Sequence, residues 1–440
     1  AAPPPAAALA AAPAAAPSAA PGGALVLVVT SLCCAVRNVR SPSRKLRLLD
    51  VLLKVALRSA DAVKTQRVLP FFMACLADPA PSVRAEAVAL IASLLAEVVT
   101  LQPSDTRLMA DYVLPALTKL AADGEVAVRC ALAAHLGRIA QAAHRFLEIA
   151  QWMRAASLNS GDESGGGPRS AEAAAHLRSF DAELATLQKL VSNLVEQLLT
   201  DAHAGQSAVK RALVGDVTRL CAFLQRQKVS DQLLPLLITF LNDKDAALRR
   251  AFFESIPGVC AFVGREALQA FVLPCILQAL TDVEEAVVSS ALHALCRLAD
   301  VGLHSRSSLL DIARKIAPLL CHPNSWLRHG ALGFFACLSS HFSAAEAYCL
   351  VRPVIEPFLE RPFFSLDADA LGAALRPPPR REAFDRALDR AAEQQQLRSS
   401  YALASLGANG APPPTAAATP PTTPGAGAGT SRDRAPSLPA

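Results

Sequence analysis

Apolar and polar residues alternate along this chain in blocks that predict pairs of helices. The run RVLPFFMACL, at 67–76, is almost wholly apolar, as expected of a helix that neighbours cover on several sides. Pro70 within this run is compatible only with the first turn of a helix or with a bend. After a polar turn, apolar residues return at helical spacing, at Val83, Ala87, Leu90, Ile91 and Leu94. The pattern therefore predicts two antiparallel helices joined by a short turn.

The same hairpin recurs, marked by a proline, an aspartate eight residues later and an arginine fourteen residues after the proline. These marks are Pro70, Asp78 and Arg84; Pro115, Asp123 and Arg129; Pro235, Asp243 and Arg249; and Pro274 and Asp282, with Val288 in place of the arginine. Pro318 opens a shorter unit that reaches Arg328 after ten residues. Repeats of about 40 to 47 residues are typical of HEAT and armadillo proteins. We predict an all-α protein, an α-solenoid of HEAT/armadillo-type helical hairpins with disordered termini.

One hairpin cannot cover its own apolar faces, so the prediction places the stability in the stacking of neighbours. Burying a Leu or Phe side chain contributes roughly 1.5–3 kcal/mol, whereas an exposed Asp–Arg pair contributes about 0–1 kcal/mol. Packing therefore determines the fold, and the charged residues adjust it.

Composition changes along the chain predict where the repeats begin and end. Ala/Pro-rich and Pro/Ala/Thr/Gly-rich stretches lack the apolar residues that a packed core needs, and a Gly/Ser-rich stretch interrupts the repeats. The predicted divisions are a disordered tail (1–23), N-terminal repeats (24–156), a disordered insertion (157–172), C-terminal repeats (173–360), an irregular or helical exit segment (361–400) and a second disordered tail (401–440).

The composition agrees with closely packed helices and argues against several kinds of function. The chain has 440 residues, of which 52% are hydrophobic and only 5% aromatic. A formal net charge of +5 over this length is a weak argument for nucleic-acid binding, and we expect none. The eleven cysteines have no C-x-x-C pair and are interpreted as small core residues in a reducing compartment. The longest apolar run, 24–36, is too short to span a bilayer.

No catalytic motif is visible in the sequence. There is no H-E-x-x-H, G-x-S-x-G or Walker A motif and no kinase signature, and the histidines are scattered. We therefore expect no catalytic residue, no metal site, no bound cofactor and no enzymatic activity in this chain.

The charged marks of the repeat are the candidate functional residues. Short aspartate side chains at turns cap free N–H groups, and the arginines admit two interpretations. They line a ridge that docks an acidic partner, or they pair with turn aspartates of the same or the adjacent unit, and we favour the second. Trp326 is expected in the core, with partner contact as the alternative. The complete set is Asp78, Arg84, Asp123, Arg129, Asp243, Arg249, Asp282, Trp326 and Arg328.

Several segments resemble one known family more closely than a general repeat consensus. FLNDKD followed by RRAFFESI and CAFVGRE, within 216–288, carries most of the resemblance. QRVLPFFMACLADPAPSVRAEAV (66–88), RFLEIAQ (145–151) and HPNSWLRHGALGFF (322–335) extend it. From about 25 to 395 the chain resembles the helical-repeat region of the protein-kinase-like regulatory scaffold subunits of class III phosphatidylinositol 3-kinase complexes.

In that family a protein-kinase-like domain precedes the repeats and a WD40 propeller follows them. The resemblance implies a cytoplasmic scaffold, peripheral on endosomal, autophagosomal or vacuolar membranes through its complex. It implies three protein partners: the lipid kinase catalytic subunit, coiled-coil subunits of autophagy and endosomal sorting, and a small GTPase. Two alternatives stay open, an unrelated adaptor such as a transport receptor or phosphatase scaffold, and a fragment of an active serine/threonine kinase. A transport receptor of the Trp-Asn ladder type is disfavoured because the chain has only two Trp residues.

Overall fold

The computed structural model describes residues 22–159, 169–200, 205–362, 365–387, 389–390 and 394. These residues are predominantly helical and contain no β-strand; one antiparallel bridge joins Leu359 to Leu375. The α-helices are α1 (Gly22–Asn38), α2 (Pro42–Leu57), α3 (Asp61–Val63), α4 (Leu69–Cys75), α5 (Pro81–Ala96), α6 (Leu114–Ala121), α7 (Val126–Asn159), α8 (Arg169–Thr200), α9 (Gln206–Gly215), α10 (Val217–Lys228), α11 (Leu234–Thr239), α12 (Ala246–Val263), α13 (Arg265–Ala267), α14 (Leu273–Ala279), α15 (Glu285–Asp300), α16 (Arg306–Ile316), α17 (Ser325–Cys337), α18 (Ala344–Glu346), α19 (Arg352–Ile355) and α20 (Ala368–Ala374).

Within the described part of the chain, these helices form eight consecutive hairpins. Each second helix packs against the second helix of the next hairpin, from α2 through α5, α7, the α9–α10 pair, α12 and α15 to α17. The described parts of the hairpins span 22–57, 61–96, 109–159, 169–200 with 205–224, 226–263, 265–300, 306–337 and 344–374. The fourth and fifth hairpins meet within α10, where Gln225 has a φ of 66° and breaks the helix. The chain is therefore an all-α solenoid of the HEAT/armadillo type, as predicted.

The second helices bury the apolar stripe that the sequence predicts. In α5 the stripe from Val83 to Leu94 is buried throughout. Aromatic pairs fill the same layer in later hairpins, since the rings of Phe252 and Phe253 meet edge to face at 5.2 Å. Edge-to-face contacts between such rings stabilise a core beyond the area that they bury.

Five of the first helices contain a π-helical turn directly before a proline. The turns are Lys64–Val68, Met109–Val113, Val229–Leu233, Leu268–Val272 and Ala347–Val351. The residue before the proline donates its N–H to the carbonyl five residues earlier, as Leu69 does to Lys64. Proline lacks an N–H and its ring crowds the preceding turn, so a widened turn accommodates it. Pro70 therefore marks a bend within a helical stretch. Pro318 lies instead in a 3-10 turn, Ala317–Cys321.

The fourth hairpin differs because its second helix is broken between α9 and α10, at Asp216. There α7 comes so close that a Cβ atom on Gly137 would lie 2.6 Å from Oδ2 and 2.8 Å from the carbonyl oxygen of Asp216. Glycine at position 137 is therefore needed for the two helices to touch.

Several predicted boundaries shift in the structure. The first helix begins at Gly22, two residues before the predicted start of the repeats. The predicted insertion at 157–172 overlaps helix at both ends, because α7 continues to Asn159 and α8 begins at Arg169; residues 160–168 lie outside the described residues. Most of the first predicted tail and all of the second also lie outside them.

The chain divides into two compact units, Ala1–Pro378 and Pro379–Ala440. The first unit contains the eight hairpins. Among the described residues of the second, 381–387 are helical, and Arg381 pairs with Asp385 at 3.3 Å.

Cysteines are less uniformly buried than predicted. Cys75, Cys221 and Cys260 are in the core, but Cys275 and Cys296 are only partly covered. They lie at the edge of the apolar stripe, where the helix surface begins to face solvent.

Candidate functional site

The turns between the two helices of a hairpin share one hydrogen-bonding pattern. In four turns the aspartate Oδ1 accepts the backbone N–H of the residue two positions later, at 2.9–3.0 Å. The aspartates are Asp78, Asp123, Asp243 and Asp282. This is the geometry of an Asx turn, and it satisfies N–H groups at the start of the second helix.

Arg84 and Arg249 each connect one such turn to the turn of the next hairpin. We call the row of cations at this position of the second helices, and the aspartates that they bind, the ridge. Arg84 donates from Nη1 to the carbonyl oxygen of Asp78 at 2.9 Å. Its Nε and Nη2 each donate to the carboxylate of Asp123, in the next hairpin, at 2.8 Å. Arg249 repeats this arrangement, with its carbonyl contact at 2.8 Å to Asp243 and two bonds of 2.9 Å to the Asp282 carboxylate. Two parallel bonds from a guanidinium to a carboxylate are strong and fix its orientation.

Lysines occupy the equivalent position in two other hairpins. Lys45 pairs with Asp78, and Lys210 pairs with Asp243 at 3.2 Å. The repeat pattern does not identify Lys45, because the turn of its own hairpin has no aspartate to mark the position. The side chains of these pairs are only 9–21% exposed, so solvent screens them less than surface pairs.

The ridge contacts also shift the ionisation of the groups involved. Partial burial acts to raise the pKa of Asp123, but hydrogen bonds from Arg84 and from the N–H of Glu125 outweigh it and lower the pKa. The same opposition lowers the pKa of Asp78 and of Asp243, with lysine as the cation. The bond to Asp282 raises the pKa of Arg249. These carboxylates are charged and engaged at neutral pH.

The Arg84–Asp123 pair is expected to contribute about 1–2 kcal/mol of coupling to the free energy of unfolding. The test is a double-mutant cycle of Arg84→Met and Asp123→Asn, since asparagine keeps the Asx acceptor and removes the charge. Urea denaturation measures the four proteins. The control cycle is Arg250→Met with Glu254→Gln, an exposed i,i+4 pair at 3.2 Å, expected to give under about 0.5 kcal/mol. Equal coupling in both cycles would contradict a ridge that ties hairpins together.

Arg129 lies deeper than the other ridge residues. It is 1% exposed and donates to the carbonyl oxygen of Asp123. Like Arg84 and Arg249, Arg129 therefore binds the aspartate carbonyl oxygen of its own turn.

The connection between turns changes after the sixth hairpin. Val288 replaces the arginine, and His322 replaces the aspartate of the following turn, with Nδ1 accepting the N–H of Asn324 at 3.0 Å. The side chain of Asn324 donates to Glu285 across the two turns. Donor and acceptor of the ridge pair are therefore lost together, and an amide–carboxylate bond replaces them.

Arg328 keeps half of the ridge geometry. Its Nη1 donates to the carbonyl oxygens of His322 at 2.7 Å and Pro323 at 2.9 Å. Arg84, Arg129 and Arg249 make the same contact with their own turns.

Trp326 is not in the core, contrary to our expectation. Its side chain is 74% exposed. The buried face of α17 passes through Leu327, Ala331 and Phe334, and position 326 lies about 100° from Leu327 around the helix. The apolar segment around it suggested burial, but the helical phase places it outside.

A second row of contacts joins the opposite ends of the hairpins. Arg226 Nε donates to the carbonyl oxygen of Val263 at 3.0 Å, and Arg265 donates to those of Gly302 and Leu303 at 3.1 and 3.2 Å. Cations satisfy the free carbonyls at helix carboxyl ends in this way. This row is not predictable from the sequence, because no turn residue marks it.

A groove of about 720 Å³ lies along the second helices of the early hairpins. It is lined by residues that include Arg138, Arg145 and Arg219 together with Glu97 and Glu148. This mixed charge selects no ligand. Across the described ranges, no cluster of metal-ligating side chains is present, and no helix has the length and apolar character to cross a membrane.

A family with the description "PIK3R4-like, middle domain" matches residues 28–388. Three relatives are similar over most of this chain. The "Probable serine/threonine-protein kinase vps15" of Dictyostelium discoideum is 37% identical over 74% of this chain and 16% of its own length. The "Serine/threonine-protein kinase VPS15" of Arabidopsis thaliana is 33% identical over 83% and 25%, respectively. That of Saccharomyces cerevisiae is 36% identical over 76% and 22%. The chain thus corresponds to a quarter or less of the length of these relatives.

Proposed function

The chain belongs to the PIK3R4-like middle-domain family, and on this basis we propose that it is the non-catalytic scaffold region of the regulatory subunit of a class III phosphatidylinositol 3-kinase complex. It holds the lipid kinase catalytic subunit and the coiled-coil subunits of endosomal sorting and autophagy in one assembly. A small GTPase is a further partner. Through this complex the protein is peripheral on endosomal, autophagosomal or vacuolar membranes.

One observation supports a scaffold most directly: the family match coincides with the continuous stack of hairpins. Each hairpin is tied to the next by packing and, at most ridge positions, by a charged contact. Such a stack presents a long, fixed surface rather than a closed catalytic pocket. A protein of this kind positions partners and leaves the chemistry to them.

The relatives are named as kinases, which favours a second arrangement in which a separate kinase-like part of the parent protein phosphorylates substrates. In that arrangement this region still acts as the scaffold. Phosphoryl transfer needs a phosphate cradle and metal-binding carboxylates in fixed positions, and the sequence has no motif for either.

The proposal is tested by purifying the full-length parent protein from cells and measuring the lipid kinase and coiled-coil subunits that co-purify. We expect stoichiometric recovery of both with the wild type. Recovery should fall at least fivefold when Arg129→Ala loosens the third hairpin, and should be unchanged with Arg138→Ala, an exposed position on the same helix. A wild-type parent that purifies alone would contradict the proposal.

A further inference from the structure

Gln225 has a backbone conformation that residues with a side chain rarely adopt. Its φ is 66° and its ψ is 166°. In this region the Cβ atom of an L-residue is crowded by its own backbone, so nearly all residues found there are glycines. Among the described residues, Gln225 is the one non-glycine residue with a positive φ. Its backbone is therefore strained.

The next hairpin shows which residue this conformation suits. Gly264, with a φ of 93° and a ψ of 179°, likewise joins a second helix to the first helix of the following hairpin. An arginine follows each of the two residues. Arg226 and Arg265 both donate to carbonyl oxygens at the end of the second helix of their own hairpin. The two junctions are therefore equivalent, but only the later one has the glycine.

The side chain of Gln225 does not compensate for this strain. It is exposed, and no hydrogen bond joins it to another residue in the described part of the chain. Shortening the side chain would therefore break no hydrogen bond, and the strain depends on the Cβ atom alone.

A buried glutamine holds the backbone on both sides of the strained residue. Gln188, on α8, is only 4% exposed. Its Nε2 donates to the carbonyl oxygen of Phe223 at 2.8 Å, and its Oε1 accepts a hydrogen bond from Lys228 Nζ at 2.7 Å. A strained conformation persists only where surrounding contacts enforce it. Gln188 supplies such contacts before and after Gln225.

We propose that the junction between the fourth and fifth hairpins, residues 224–226, is a strained connection that Gln188 latches and that is biased towards local opening. An opened junction is free to leave this region of φ and ψ, so opening releases the strain at Gln225. Loss of the two Gln188 bonds separates the start of the fifth hairpin from α8. This inference goes beyond the proposed scaffold function and does not depend on it.

The test is native-state hydrogen exchange of the full 440-residue chain, in urea below the unfolding transition. Peptides covering 223–233 report on the strained junction, and peptides covering 262–272 report on its equivalent at Gly264. Gln225→Gly should raise the protection factors at 223–233 at least threefold, although the greater freedom of glycine in the opened chain offsets part of the gain. Gln225→Ala is the matched control, since it removes the long side chain and keeps the Cβ atom. Its protection should stay within twofold of the wild type.

Gln188→Met tests the latch, because it keeps the length of the side chain and removes both hydrogen bonds. Protection at 223–233 should fall at least fivefold, while protection at 262–272 stays unchanged. Equal protection for Gln225→Gly and the wild type, or an equal gain with Gln225→Ala, would overturn the strain. No loss with Gln188→Met would overturn the latch. Co-purification of the parent protein with the lipid kinase has no bearing on these results, so the two proposals fail separately.

Discussion

Replacing Arg129 by alanine is expected to lower the free energy of unfolding by about 3–5 kcal/mol. Among the described residues Arg129 is the largest of the fully buried side chains, so its loss leaves a cavity in the core. It also leaves the carbonyl oxygen of Asp123 without its charged donor. Arg129→Met, which keeps most of the volume, should cost less, about 1–3 kcal/mol.

Urea denaturation of the three proteins checks this prediction. Arg138→Ala is the matched control, because position 138 is on the same helix but exposed, and the expected change is within about 0.5 kcal/mol. Hydrogen exchange should show that Arg129→Ala loses protection first around residues 123–136. A stability equal to that of Arg138→Ala would mean that the buried guanidinium contributes nothing.

Acidification is expected to destabilise the protein through His304, by about 2 kcal/mol between pH 7 and pH 5. His304 is 7% exposed, and neither ring nitrogen has a hydrogen-bond partner. Burial lowers its pKa to about 4, helped by the nearby charges of Arg265 and His341. The unfolded chain takes up the proton near pH 6.5, whereas the folded protein resists it until about pH 4. The contribution of neutral His304 is thus complete above pH 6.5 and is lost as the pH falls towards 4.

The measurement is the urea midpoint of unfolding at a series of pH values, compared with His304→Leu. The variant should lose the part of the pH dependence that His304 causes, so the wild type should lose about 2 kcal/mol more than the variant between pH 7 and pH 5. His293→Leu, at an exposed position on α15, should keep the wild-type slope. Parallel curves for the wild type and His304→Leu would show that His304 ionises equally in both states.

The sequence predicts the hairpins well because their apolar periodicity and turn residues agree. Apolar residues from Val83 to Leu94 recur at helical spacing, and the aspartates fall where the chain turns. Both features lie within a single hairpin, so the sequence of that hairpin alone is enough to predict its two helices and its turn.

Features that depend on neighbouring hairpins are not visible in the sequence. Trp326 is in an apolar segment, yet it is exposed because only the phase of α17 against α15 decides which side is covered. Lys45 binds a turn aspartate 33 residues away, and no local mark connects the two. The π-helical turns also escape prediction, since a proline in an apolar run fits a helix start equally well.

The π-helical turns recur at equivalent positions in five hairpins, so any bending of the array can be divided among them. At each one, backbone bonding is looser than in an ordinary α-helix, and the same defect returns at the same place in five hairpins. A load applied along the array would be shared among these equivalent turns instead of opening a single one of them.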